Sequence, residues 1–89
     1  MNASERPRLG RGVRLRREGD GSAMLLVPEG ALMLNGTAAA TLELLDGHRT
    51  VGDIAGALAE RFDVDVERAQ RETGELLQRL AERRFVELP

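Results

Sequence analysis

Leu25-Leu26-Val27-Pro28-Glu29-Gly30-Ala31-Leu32-Met33-Leu34-Asn35 is a pair of short apolar runs joined by Pro-Glu-Gly and closed by an asparagine. Pro28 fixes its own φ and lacks an N–H, and Gly30 is free to take φ > 0, so the three residues read as a tight reversal and the flanking runs as a hairpin. Upstream, Val13-Arg14-Leu15-Arg16 alternates apolar and charged residues, the pattern of a strand with one buried face. Gly19-Asp20-Gly21-Ser22 is a turn cluster leading into a second strand, Ala23 to Val27. Ala31 to Leu34 then makes a third, giving a three-stranded antiparallel meander. Its own β propensity is weak, and the assignment rests on the turns around it.

Three helices follow. Gly36-Thr37-Ala38-Ala39-Ala40-Thr41-Leu42-Glu43-Leu44-Leu45 is rich in helix formers, with either Asn35 or Thr37 available as the cap, and it stops at Asp46-Gly47. Thr50 and Asp53 form a capping-box pattern ahead of Val51, Ile54, Ala55, Leu58 and Phe62, which predicts a second helix over about Val51 to Phe62. Asp65 caps a third helix whose stripe is Val66, Ala69, Thr73, Leu76, Leu77 and Leu80, running to about Arg84. Gly74 lies in its middle, where glycine costs up to ~1 kcal/mol relative to alanine. Phe85-Val86-Glu87-Leu88 reads as a short extended tail against the body. The expected fold is α+β, a three-stranded antiparallel sheet followed by three helices, winged helix-turn-helix-like.

With 89 residues there is room for one domain and one modest core, placed at 13–89. Residues 1–12 hold Pro7, Gly10 and Gly12 and no apolar period, so they read as a flexible lead-in. Apolar residues are 42% of the chain and charged residues 31%, the balance of a globular protein. Phe62 and Phe85 are the only aromatics, so the core is aliphatic. The net charge is -2, with arginine as the only basic residue type apart from one histidine. Arg6, Arg8, Arg11, Arg14, Arg16 and Arg17 against Glu5 alone make a basic arm on a slightly acidic body. No signal-peptide h-region opens the chain and no apolar run reaches the ~18 residues of a membrane span, so the expected location is cytoplasmic, with no membrane partner.

Catalytic chemistry is hard to place on these residues. Absence of cysteine removes disulfides, thiolate nucleophiles and Cys-ligated metals. His48, the one histidine, sits in a polar turn without a serine or cysteine constellation. Gly10-Arg11-Gly12 lacks a phosphate-loop continuation, and Gly19-Asp20-Gly21-Ser22 is shorter than an EF-hand loop. Asp63 with Asp65, and Glu72 with Glu75, read as solvated carboxylates among arginines. The expectation is a non-enzyme with no metal and no cofactor. A helix-turn-helix raises DNA binding, but the third helix mixes Glu67, Glu72, Glu75 and Glu82 with Arg68, Arg71, Arg79, Arg83 and Arg84. A small winged-helix DNA-binding regulator is therefore the alternative, and no nucleic-acid partner the main expectation. What is left is peptide binding. A small three-stranded sheet leaves edges, and a third strand beside a helix offers unpaired backbone groups next to an apolar groove.

The order Val13-Arg14-Leu15-Arg16, Leu25-Leu26-Val27-Pro28-Glu29-Gly30, Leu34-Asn35, Asp46-Gly47-x-Arg49-Thr50-Val51 and Ile54 resembles the pyrroloquinoline quinone biosynthesis protein D (PqqD) family. The resemblance implies a peptide chaperone of the kind used in making ribosomally synthesised, post-translationally modified peptides (RiPPs). It also implies two partners: a PqqA-type precursor peptide, and a PqqE-type radical S-adenosylmethionine enzyme that cross-links a glutamate and a tyrosine of that peptide. Family members add the precursor as a strand beside the third strand, against the third helix. Mapped here, the resemblance points to Ala31, Leu32, Met33 and Leu34 on the strand and to Arg68, Ala69, Arg71, Glu72, Thr73 and Leu76 on the helix. Which side chains face the core is open at this level, as is the choice between monomer and homodimer.

Overall fold

Hairpin pairing follows the alternation of the sequence. The computed structural model of the protein describes residues 2–88. In it β1 (Arg8–Leu9) is followed by β2 (Arg14–Arg17), β3 (Ala23–Val27) and β4 (Gly30–Leu34). Then come α1 (Gly36–Glu43), α2 (Val51–Phe62), α3 (Val66–Glu82) and β5 (Val86–Glu87). β2, β3 and β4 form the expected antiparallel meander with β3 in the middle. Leu15 opposes Leu25, and Leu25 opposes Leu32, so the apolar alternates of all three strands share one face. That face meets the helices: Val13, Ala23, Leu25, Leu34, Leu42, Val51, Leu77 and Leu80 are buried in one aliphatic cluster. The class is the α+β arrangement expected, and α2 packs along α3 as a helical pair.

Each helix start is written in side chains. Asn35, not Thr37, caps α1, its Oδ1 accepting the Ala38 N–H at 2.9 Å. At α2 the Thr50 hydroxyl accepts the Asp53 N–H and the Asp53 carboxylate accepts the Thr50 N–H, each at 3.0 Å. Asp65 caps α3.

Several expectations are corrected. The lead-in read as flexible is tied to the body. Ala3 and Glu5 carbonyls accept the Gly52 and Val51 N–H groups at 2.9 and 2.8 Å, Pro7 is fully buried, and β1 pairs with β5. The reason is that the first turn of α2 has N–H groups without intrahelical partners, and the segment supplies carbonyls for them. The extended tail is accordingly a strand, with Arg8 and Glu87 paired at 2.9 Å. α3 ends at Glu82 rather than Arg84, because Arg84 turns left-handed at φ 64. α1 ends at Glu43, short of Asp46. Val66 is 46% exposed and Phe62 38%, so the two stripe residues that flank the α2–α3 connection are not core. Among the described residues no helix is long and apolar enough to cross a membrane.

Two glycines predict opposite outcomes for one substitution. A Cβ at Gly10 falls inside van der Waals contact of the Arg84 carbonyl, whereas a Cβ at Gly74 meets nothing within 4 Å. Gly10→Ala is expected to destabilise by roughly 1–3 kcal/mol, and Gly74→Ala to stabilise by up to about 1 kcal/mol, both read from urea midpoints.

Acid sensitivity follows from the turns. The Thr50 N–H, above all, holds the Asp53 carboxyl below its ordinary range; the Arg49 and then the His48 N–H do so for Asp46, and the Ser22 hydroxyl and N–H for Asp20. Carboxyls depressed in the fold bind fewer protons there than in the unfolded chain. Their contribution is therefore complete above the unfolded value of about 3.9 and is lost as pH falls through the folded values. Melting temperature should drop as pH falls below about 4 in thermal scans, and less so in Asp53→Asn.

Candidate functional site

β4 is an edge strand, bonded to β3 on one side only among the described residues. Which of its backbone groups are free follows from one bond at the other hairpin. The Glu18 N–H donates to the Ser22 carbonyl at 3.0 Å, with Gly21 at φ 90 closing the loop. Counting from that pair, alternation turns the backbone of Met24 and Leu26 toward β2 and that of Ala23, Leu25 and Val27 toward β4. On β4 the partners of these last three are Leu34, Leu32 and Gly30. The N–H and C=O groups of Ala31 and Met33 therefore point outward along the open edge. Side chains divide the same way: Leu32 and Leu34 pack into the core, while Ala31 and Met33 are exposed, Met33 at 71%.

Beyond the C-terminal end of β4 a groove runs between α1 and α3. Asn35, Ala38, Glu75, Leu76 and Arg79 border a depression of about 390 Å³ that begins where the strand ends. Sharing Thr37, Glu72 and Leu76 with it, a second hollow of about 160 Å³ reaches the end of α2. Leu58, Phe62, Ala69 and Thr73 give that hollow a mostly apolar lining. Thr41, buried beside it, is satisfied by donating its hydroxyl to the Thr37 carbonyl at 2.9 Å. At the rim Arg68 and Glu72 form an i,i+4 ion pair at 3.2 Å, so neither sign of charge dominates.

The structure brings together most of the helix residues the sequence pointed to, whereas Ala31, Leu32, Met33 and Leu34 line neither hollow. Arg68, Glu72 and Leu76 line the groove one turn apart, and Ala69 and Thr73 are its buried floor. Arg71 is elsewhere: with Gln70, Gly74 and Gln78 it lines a depression on another side of α3. Sequence reasoning missed Thr37, Thr41, Phe62 and Val64. Only Phe62 carried a signal, as a bulky aromatic at the fraying end of an apolar stripe.

Along α3, Arg68 is paired with Glu72, and after it the Arg83 guanidinium stacks over the Phe85 ring at 4.8 Å. Among the described residues no cluster of three or more His, Asp or Glu side chains is placed to hold a metal ion.

Comparison with known proteins agrees with this fold. Residues 22–86 match the family model described as coenzyme PQQ synthesis protein D. A PqqA binding protein of Rhizobium meliloti is 36% identical over 89 residues, spanning 99% of this chain and 91% of that protein. The bifunctional coenzyme PQQ synthesis protein C/D of Methylorubrum extorquens is 39% identical over 88 residues, which are 98% of this chain but 24% of that protein. Among solved structures, the NMR structure of the PqqD truncation of Methylobacterium extorquens PqqCD, a functional and stand-alone RiPP recognition element, superposes with a TM-score of 0.83. It is 38% identical, with 98% of this chain and 94% of that one covered. A sheet with an open β4 edge, a groove along α3 and a sequence match over most of the chain converge on one assignment: this chain belongs to the PqqD family.

Proposed function

We propose that this chain is a peptide chaperone of pyrroloquinoline quinone biosynthesis that binds a PqqA-type precursor as an added strand on β4 and presents it to a PqqE-type radical S-adenosylmethionine enzyme. The observation that carries the reading is the open edge of β4, where Ala31 and Met33 offer backbone groups, with the groove between α1 and α3 opening past the strand's end at Asn35. An added strand gains main-chain hydrogen bonds at those two residues, and its alternate side chains drop toward the groove, where shape selects among peptides. The PqqA-binding relatives and the matching recognition element support this role. The chain binds and presents, and the cross-linking chemistry belongs to the partner enzyme. It works in the cytoplasm, as one copy or two.

Proline separates edge binding from folding. Met33→Pro removes an N–H that faces the open edge, so the sheet keeps its ladder and the protein stays folded. Precursor affinity measured by calorimetry should fall at least tenfold, about 1.4 kcal/mol. Leu32→Pro removes a ladder N–H instead and should unfold the hairpin. Retention of full affinity by a folded Met33→Pro variant defeats strand addition on β4. In an NMR titration with the precursor, shifts should be confined to residues 31–34 and α3.

A further inference from the structure

Thr41 and Thr73 are the buried polar side chains among the described residues, and they are satisfied differently. The Thr41 hydroxyl donates to the Thr37 carbonyl at 2.9 Å, a bond that mid-helix threonines commonly make to the residue four back. Thr73 is only 4% exposed, yet its hydroxyl has no hydrogen-bond partner among the described residues. No fully enclosed side-chain polar atom there lacks a partner, so this hydroxyl is not sealed in. It opens on the hollow of about 160 Å³ between α1, the end of α2 and α3, whose floor Thr73 forms with Ala69. One free hydroxyl thus lies at the bottom of a mostly apolar hollow. Size and charge narrow what fits above it. A cavity of about 150 Å³ holds one benzene ring, so this hollow suits a single six-membered aromatic ring. Phe62, with the Arg61 guanidinium 5.3 Å from its ring centroid, supplies an aromatic neighbour at the wall. The charged groups at the hollow, Arg68 and Glu72, are paired with each other at 3.2 Å on the rim. A charged side chain buried there would therefore lose its hydration without gaining a counter-ion. A wholly apolar ring would leave the Thr73 hydroxyl unpaired beneath it. A phenol avoids both costs: it is neutral at pH 7, with a pKa of about 10, and its hydroxyl both donates and accepts.

We infer that this hollow is a subsite for one phenolic ring, the side chain of a tyrosine in the bound precursor, with its hydroxyl on Thr73. The inference rests on the peptide-binding role proposed above and adds a selective anchor to it. Continuity of the groove favours a peptide over a free phenol. The depression that begins at Asn35, where β4 ends, shares Thr37, Glu72 and Leu76 with the hollow. A chain leaving the β4 edge at that end follows one uninterrupted groove to the Thr73 hydroxyl. The two parts then divide the work. Backbone pairing on β4 holds any extended segment, and the ring distinguishes one sequence from another.

The test uses the full chain with the side-chain analogues p-cresol and toluene, followed by the precursor peptide. In ¹⁵N NMR titrations p-cresol should bind about three- to tenfold more tightly than toluene, the ratio that one neutral hydrogen bond gives. Shifts should centre on Val64, Ala69 and Thr73. Thr73→Val should abolish the preference and leave toluene binding as it was, and Thr73→Ser should retain it. Because the hydroxyl bonds nothing in the free protein, Thr73→Val should also keep its urea midpoint, so the comparison is made on a folded chain. Equal binding of the two analogues, or a preference that survives Thr73→Val, overturns the subsite. Precursor added to the p-cresol complex should displace it. Replacing the tyrosines of the precursor by phenylalanine should weaken binding about three- to tenfold to the unsubstituted protein and not at all to Thr73→Val. A precursor that binds and leaves p-cresol in place assigns the hollow to a free phenol and overturns the inference, with peptide chaperoning intact. Met33→Pro should bind p-cresol normally, so loss of strand addition and loss of the subsite are read separately. Failure of the precursor to bind at all defeats the chaperone role, and with it the peptide as occupant.

Discussion

Leu25 at the centre of β3 and Leu77 in α3 are both completely withdrawn from solvent, within one aliphatic cluster. Everything else is arranged around the requirement that the middle strand bury its odd-numbered side chains in that cluster. Burial of a leucine is worth roughly 1.5–3 kcal/mol, and a slip of one residue would turn every such side chain to the wrong face. Register is therefore pinned from within. Pinning β3 fixes the neighbours: Leu15 and Leu32 must oppose Leu25, so Arg14 and Arg16 point outward and Ala31 and Met33 line the open edge. The open edge is a by-product of core packing. No residue has to be spent on shaping it.

Much of this was legible in the chain because the signals are local. Pro28-Glu29-Gly30, Asn35, the Thr50 and Asp53 pair and Asp65 act through their own side chains or backbone limits, and each marks an element boundary within a residue or so. What escaped was carried by backbone groups. The carbonyls of Ala3 and Glu5 that complete the first turn of α2 are the same in every residue type, so an arginine-rich segment with two glycines looked free. β1 and β5 are two-residue strands, too short for alternation to show.

The candidate site was readable to a similar depth. Periodicity placed Ala69, Thr73 and Leu76 on one stripe, and the groove along α3 uses that stripe. It could not distinguish Arg71 from Arg68, because three residues on a helix differ by some 60° around its axis and either can border a groove. Nor could it nominate Thr37 and Thr41, which enter only because α1 leaves β4 at Asn35 and runs beside α3. Long-range juxtaposition of this sort has no local signature.

β1 and β5 lie paired near opposite ends of the sequence, with Leu9 opposite Val86 and the Gly10 N–H bonded to the Phe85 carbonyl at 2.8 Å. Such a clasp brings the beginning and end of the domain to one place on the surface and holds them there independently of whatever is attached. Adjacent ends are the condition under which a domain can be joined to another chain, or set into a loop of one, without strain on its interior. The bifunctional C/D protein, in which the matching region is 24% of the length, is an instance of that modular use. A tether can then hold a peptide-handling domain beside a neighbour at high effective concentration while its β4 edge stays open to the solution.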